Sequence, residues 1–447
     1  MAKTIVIIGA GISGLSLHYF LKKRYSNRPD VRIVLLEKND GPGGNIRTLF
    51  KDNVLFECGP NGFLANQPAT LSLIEDLGLT DQLVSADPSA NRRYILVNGH
   101  LHQVPSNLGT LLKFKSMKLS EKLRIFWEPF VSKGNDPEES LDHFIRRRFG
   151  SACAKYLADP MVSGIYAGDS SHLSVQMAFP KVYEYEQKFG SVIKGLSGSR
   201  QDKIMKGGLK SFQKGMGQLI LGLAQAAGEA LHINEPVRQV LHASPYYLVV
   251  TDHEKYAADE LFICSPSYAA ADLLHKLDSE LALALKSIEY ASISVVGLEF
   301  SKASFERICD GFGYLVPSFE NSVVLGVLFE SQIFQNRAPE KSLMVRVMIG
   351  GVRNPQCVQW SEEQLIQTAC QELTDRFGIK EEPLKKFLIK YSKAIPQYET
   401  QGIKLKGRIH ERLLRFDNLY LRSNYLDGVS LNECVKNSKE LASRSNL

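Results

Sequence analysis

The feature that most narrows the fold lies near the start of the sequence. Four apolar residues, Ile5-Val6-Ile7-Ile8, run into Gly9-Ala10-Gly11-Ile12-Ser13-Gly14 and then into a stretch of helical periodicity, Leu15 to Tyr25. That order predicts strand, tight turn and helix. Glycines at this spacing do three jobs: one makes the turn, one lets backbone approach a diphosphate, and one lets the helix pack closely on the strand. The helix N-terminus then offers N–H groups to phosphate oxygens. A second strand, Val31 to Leu36, ends in Glu37, 23 residues after Gly14. A carboxylate there accepts hydrogen bonds from ribose hydroxyls and repels a 2′-phosphate, so FAD or NAD fits and NADP does not. The glycines also argue against a secretory signal, whose apolar stretch would run on to a small-residue cleavage site, and a cytoplasmic protein is expected.

Length and composition bound the rest. At about 150 residues per unit, 447 residues allow about three units. Seven scattered cysteines with no C-x-x-C pair fit a reducing compartment and speak against a disulfide scaffold or a zinc site. The net charge of +6 is too small to argue for a nucleic-acid partner. No apolar run approaches the roughly 18 residues of a spanning helix.

After Glu37, Gly41-Pro42-Gly43-Gly44-Asn45-Ile46-Arg47-Thr48 supplies a second glycine turn with an arginine, and Cys58-Gly59-Pro60-Asn61-Gly62 supplies a third. A simple NAD site has no use for them, whereas the longer FAD molecule does. From Leu231 the chain reads as short strands, Leu231 to Ile233, Val237 to His242, Tyr247 to Thr251 and Glu260 to Cys264, preceded by a helix over Leu219 to Ala230. A three-strand meander that returns to the first sheet completes FAD domains of the glutathione-reductase type. Residues 106–206 read as helical. Residues 285–400 hold β-rich runs (Ile293 to Phe300, Val323 to Phe329, Leu343 to Ile349) and one helix opened by Ser361 and Gln364 at capping-box spacing. The expected fold is therefore α/β: a Rossmann-like FAD-binding domain (1–75, 207–284 and 401–447), a β-rich substrate domain (76–105 and 285–400) and a helical insertion (106–206). The Ser/Gly-rich stretch Gly195 to Lys206 reads as a mobile loop. Gly428 and the residues after it read as a turn and helix start, whose positive end would face the flavin.

Leu108 to Lys133 pairs apolar residues, among them Leu112, Leu119, Leu123, Phe126, Trp127 and Phe130, with Lys113, Lys115, Lys118, Lys122 and Arg124. Such an amphipathic stretch most often packs its apolar face on its own domain, with an interfacial, membrane-facing role as the alternative. The run Arg146-Arg147-Arg148 reads as a solvated helix end.

Several separated segments together resemble one family. They are the N-terminal fingerprint, Gly43-Gly44-x-x-Arg47-Thr48, Arg93-Tyr94-x-x-Val97-x-Gly99-x-Leu101-His102-x-x-Pro105, Gly164-Ile165-Tyr166-Ala167-Gly168-Asp169, Gly311-Phe312-Gly313-Tyr314, Ile395-Pro396-Gln397-Tyr398 and Gly428-Val429-x-x-Asn432-x-Cys434. In this order they resemble the oxygen-dependent protoporphyrinogen and coproporphyrinogen oxidases of the flavin amine oxidase-like superfamily. The resemblance implies FAD and oxidation of a porphyrinogen to a porphyrin in heme biosynthesis, with molecular oxygen as acceptor. It also leaves open peripheral association with the inner face of a membrane and handover to the next heme-pathway enzyme. By motif position, FAD contacts are expected at Gly9, Ala10, Gly11, Ile12, Ser13, Gly14, Glu37, Lys38, Gly44, Asn45, Arg47, Gly59, Pro60, Asn61, Gly62, Val237, Val429, Ser430 and Leu431. Substrate contacts are expected at Gly164, Tyr166, Gly168 and above all Arg93, a guanidinium suited to a propionate. No side chain stands out as a catalytic base. The family's histidine after Ile-Pro-Gln-Tyr is absent from Glu399-Thr400-Gln401-Gly402, and Leu421-Arg422-Ser423 replaces a common glycine. The alternatives are another flavin amine oxidase, a carotenoid-type desaturase, or a non-catalytic binding protein of the Rab-GDI kind.

Overall fold

The structure, a computed structural model, describes residues 3–198, 207–305 and 310–445. Its first layer is a parallel five-stranded sheet in the order Leu231–His232, Val31–Leu36, Lys3–Ile8, Glu260–Ile263, Leu419–Leu421. Both faces are covered, so its strands read as unbroken apolar runs. On one face Ile5, Ile7, Leu35 and Phe262 pack against the helices Ile12–Arg24, Gly217–Ala227 and Leu431–Ala442. On the other, Val6, Val34 and Ile263 pack against an antiparallel meander and the helices Ser267–Leu274 and Ser279–Lys286. The meander differs from expectation. It is built from Val237–Ala243, Tyr246–Thr251 and a third strand, Lys255–Ala258, while Leu231–His232 and Glu260–Ile263 belong to the parallel sheet.

The second layer is a mixed seven-stranded sheet ordered Lys385–Pro396, Tyr290–Ser301, Ser342–Gly350, Val324–Leu328, Gly313–Leu315, Arg93–Val97, His100–Gln103. Alternation sorts its side chains. Leu343, Val345, Val347 and Ile349 face the helix Glu362–Phe377, which carries the expected Ser361/Gln364 capping box and ends at Gly378. From the opposite face, Val295, Met344 and Phe387 pack on the hairpin Thr48–Lys51/Val54–Glu57, and Ile95, Val97 and Leu315 pack on the helical insertion.

The insertion corrects four expectations. Leu108 to Lys133 is not one amphipathic helix but two short ones, Leu108–Lys113 and Leu119–Phe126, and a turn at Glu128–Phe130. Phe114 and Met117 are buried against the sheet, whereas Leu119, Trp127 and Phe130 are 66%, 63% and 75% exposed. Packing therefore claims only part of the apolar face. Lys122 and Arg124 are not part of a basic surface, because each donates to helix-end carbonyls, at Leu112 and at Arg147 and Arg148. Arg148 is no solvated helix end either: it is fully buried and ion-paired with Glu128 and Glu186. Of Gly195 to Lys206, read as a loop, residues 195–198 close the helix Val192–Gly198 and the others lie outside the described residues. Among the described residues no helix is long and apolar enough to cross a membrane.

Candidate cofactor and substrate site

The carboxyl ends of the parallel strands line up Gly9, Glu37, Cys264 and Arg422 along one edge of the first sheet, where open α/β sheets bind ligands. Gly9 adopts φ +101°, which a side chain would strain. Gly14 has no room at all, since a Cβ there would lie 1.9 Å from the Gly9 carbonyl oxygen. Around Gly11 the same space is open, with no heavy atom within 4 Å. No side chain caps the helix that starts at Ile12. This is an uncrowded anion cradle.

Glu37 is buried and already holds the loop. Its Oε2 accepts from the Ala10 N–H (2.8 Å), and its Oε1 from the Asn39 N–H (3.0 Å) and Nδ2 (2.6 Å). A carboxylate accepts about four hydrogen bonds, so capacity for a ribose hydroxyl is left. Lys38 beside it is exposed, as are Gly44, Asn45 and Arg47, while Gly43 pairs backbone to backbone with Ala10. Sequence reading missed Glu235, whose N–H binds the Glu37 carbonyl and whose Oε1 is buried without a partner. Val237 follows at the bulged start of the meander.

The turn Gly59-Pro60-Asn61-Gly62 is gripped from below. Arg346 donates to the carbonyls of Glu57 (3.0 Å) and Gly59 (2.6 Å), and Arg337 to those of Phe212 and Asn61 and to Ser211 Oγ. Arg346 lies 2.8 Å from Glu330, and Arg337 lies 3.3 Å from Glu57. Glu57 also accepts from Thr48 Oγ and the Met216 N–H, yet burial pushes its carboxyl up to about 7 against the pull of Arg337. Asn61 Nδ2 is buried and unpartnered, and so are Ser265 Oγ beside Gly9 and Asn432 Oδ1 in the C-terminal helix. That helix opens with Gly428 at φ +79° and a capping box between Ser430 and Glu433. Leu431 is buried, and Val429 is half-buried against the insertion.

The substrate candidates separate. Arg93 begins its strand with its guanidinium 4.9 Å from the centre of the Phe312 ring, and among the described residues no carboxylate pairs with it. Its neighbour Arg92 is paired with Asp310 at 3.3 Å. Gly164 is exposed on the helix Asp159–Tyr166, close enough that a Cβ would lie 2.6 Å from Leu315. Gly168 admits Gln397, which holds the wall through the Tyr166 carbonyl at 2.9 Å. Tyr166 is a correction: its ring is buried between Phe179 and Tyr398, and its hydroxyl donates to the Ala178 carbonyl. Only 4% of it is exposed, so it supports the wall from behind.

The family of flavin containing amine oxidoreductases matches residues 12–400. The chain belongs to that family. Within it, the protoporphyrinogen oxidase of Nicotiana tabacum chloroplasts is 31% identical over 98% of this chain and 84% of its own length. The coproporphyrinogen III oxidase of Bacillus subtilis (strain 168) is 27% identical over 99% of this chain and 97% of its own. A crystal structure from Exiguobacterium sp. 255-15, whose assignment as a protoporphyrinogen oxidase is provisional, superposes with a TM-score of 0.85 at 26% identity over 99% of this chain and 98% of that one. The cofactor of this flavin amine oxidoreductase is FAD. The glycine cradle and the buried, unpartnered atoms of Asn61, Glu235, Ser265 and Asn432 fit a long, hydrogen-bond-rich dinucleotide.

Proposed function

We propose that this flavoenzyme oxidises a porphyrinogen, protoporphyrinogen IX or coproporphyrinogen III, to the porphyrin in heme biosynthesis, with oxygen as electron acceptor. The observation that carries the reading is Arg93. It is a cation with no carboxylate partner among the described residues, stacked on Phe312 at the rim of a sheet face where apolar Leu328 and Met348 lie beside the ion-paired Arg346. A greasy disc with charged propionates calls for apolar walls and a cation at one edge. The names of the relatives favour the same substrate class.

FAD, when bound, takes two electrons per turnover, so three rounds complete the macrocycle. The chain's own part is to hold and orient. The loop Gly9 to Gly14 would carry the diphosphate and Glu37 a ribose hydroxyl, while Lys38, Gly44, Asn45, Arg47, Gly59 to Gly62, Val237 and Val429 to Leu431 would hold the rest of the cofactor. Gly164 and Gly168 would line the substrate side. The division into a nucleotide domain, a substrate domain and an insertion at residues 106–206 belongs to the same proposal. So does peripheral membrane binding through Leu119, Trp127 and Phe130, with Lys113, Lys115 and Lys118 exposed nearby.

Parallel assays with both porphyrinogens, following porphyrin fluorescence and oxygen uptake, test the reading. Three oxygen molecules consumed per porphyrin are expected, and bound FAD with no turnover of either substrate overturns it. Arg93→Ala should raise KM about fivefold with kcat little changed, because a half-screened ion pair remote from the reacting carbon acts by uniform binding. An unchanged KM removes the clamp.

A further inference from the structure

We infer that Arg422 is a ligand of the FAD diphosphate, a role that rests on the flavoprotein assignment and extends it to a side chain outside the glycine loop. Arg422 follows the last strand of the parallel sheet, where its N–H donates to the Ile263 carbonyl at 2.9 Å. In that strand Leu419 and Leu421 face the meander while Tyr420 faces the helices, so by alternation Arg422 also points to the helical side. There it is only 4% exposed. Its guanidinium is close enough to pull on two buried thiols: burial pushes Cys264 up to about 12 and raises Cys434, and Arg422 opposes both. Cys264 in turn borders Gly9 and Gly14, and Cys434 lies in the first turns of the helix Leu431–Ala442. The arginine is therefore placed beneath the diphosphate cradle.

Its charge is poorly answered there. Nε is buried with no hydrogen-bond partner. The carboxylate paired with it, Asp427, is 3.7 Å away, half-exposed, and already held by Lys406. Nη2 reaches only the Asp427 carbonyl, at 3.5 Å, which also accepts from Asn437 at 2.7 Å. The helices Ile12–Arg24 and Leu431–Ala442 pack together here, with Ser438 Oγ donating to the Ser13 carbonyl, and the first of them opens on this edge with no side-chain cap. A buried guanidinium on the side of an uncapped positive helix end is unfavourable unless an anion completes the set. A diphosphate does so, and a guanidinium holds its oxygens with two parallel hydrogen bonds.

The test uses full-length apoprotein of the wild type, Arg422→Lys, Arg422→Gln and Arg422→Met. Each is titrated with FAD, and with ADP as a probe that carries the diphosphate without the flavin. FAD affinity should fall about 10- to 100-fold in the Gln and Met variants. ADP affinity should fall by a similar factor, and Arg422→Lys, which keeps the charge but not the paired hydrogen bonds, should recover part of the loss. Thermal melting separates this from a structural role. The Met apoprotein should melt no lower than the wild type, since a buried unpaired charge has been removed, while its stabilisation by FAD shrinks. Wild-type FAD affinity in the Gln and Met variants, no recovery with Lys, an equal fall in melting of apo and holo protein, or unchanged ADP affinity with a shifted flavin midpoint potential would each overturn the inference. Wild-type protein that takes up no FAD would instead remove the flavoprotein assignment itself.

Discussion

The parallel sheet and the helical insertion are built on opposite plans. In the sheet Ile5, Ile7, Leu35 and Phe262 are completely buried, and the polar groups sit at the strand ends. In the insertion the fully buried side chains include Arg148, Glu128 and Glu186, while Leu119, Trp127 and Phe130 point outward. Glu128 accepts from Ser191 Oγ (2.5 Å) and the N–H groups of Val192 and Ile193, and Arg148 donates to the Gly190 carbonyl at 2.9 Å. Burial pushes the Glu128 carboxyl up, but these donors and Arg148 hold it below the usual range. One ionic cluster thus ties together four short segments beside the apolar core built on Leu141, Phe144 and Val192. With Leu119, Trp127 and Phe130 turned outward, that cluster adds to what the core supplies.

The largest expected effect breaks this contrast at its centre. Arg148→Met leaves Glu128 and Glu186 short of a counter-ion and should cost about 3 to 5 kcal/mol, read by urea unfolding. Hydrogen exchange should place the loss in residues 128–198, with FAD content unchanged. If FAD is released in the same transition, the two regions are one cooperative unit and the contrast is only architectural.

The cofactor side has a buried ionic group of its own, Glu57 with Arg337 and Glu330 with Arg346, and in it Glu57 is a carboxylate with a raised pKa. Its folded value of about 7 exceeds the unfolded 4.5, so the folded state keeps its proton longer. Stability should therefore fall as pH rises from about 4.5 to about 7, by about 3 kcal/mol. Glu57→Gln should flatten that slope in melts across the window. A slope equal to the wild type's would assign the pH dependence to other groups.

Glu37 tests the sheet's edge. Glu37→Gln should weaken FAD binding by about 1.5 to 3 kcal/mol, measured by flavin titration, because a charged acceptor is lost. FAD held as tightly as before would remove the ribose role. The smallest effect on stability belongs to the outward face. Trp127→Ser with Phe130→Ser should change unfolding by no more than about 0.5 kcal/mol. The same pair should abolish flotation with anionic liposomes, and retained flotation would free this face of the membrane role.

These contrasts also explain what the residues reveal on their own. Gly9, Gly11, Gly14 and Glu37 were legible because a strand, a turn and a helix fix their positions within a few dozen residues. Arg148 was misread because its partners, Glu128 in a turn and Glu186 on another helix, leave no periodic trace. Arg337, Glu330 and Arg346 are legible only once the large sheet brings them under the Gly59 turn. The strand Lys385–Pro396 was hidden by Lys385, Lys386, Lys390 and Lys393, which a sheet edge tolerates because that side carries no neighbouring strand. Tyr166 shows the converse: its motif is recognisable, but only tertiary packing decides which way the ring turns.

The order of the parallel strands has a consequence for how the protein is made. Leu419–Leu421 pairs with Glu260–Ile263, which pairs with Lys3–Ile8. That end of the sheet is thus assembled from three segments that lie far apart in the sequence. Contacts of such long sequence separation close slowly. Until Leu419–Leu421 has joined the sheet, Arg422 does not stand beside the glycine loop, so a cofactor that is held by both would be taken up late in folding.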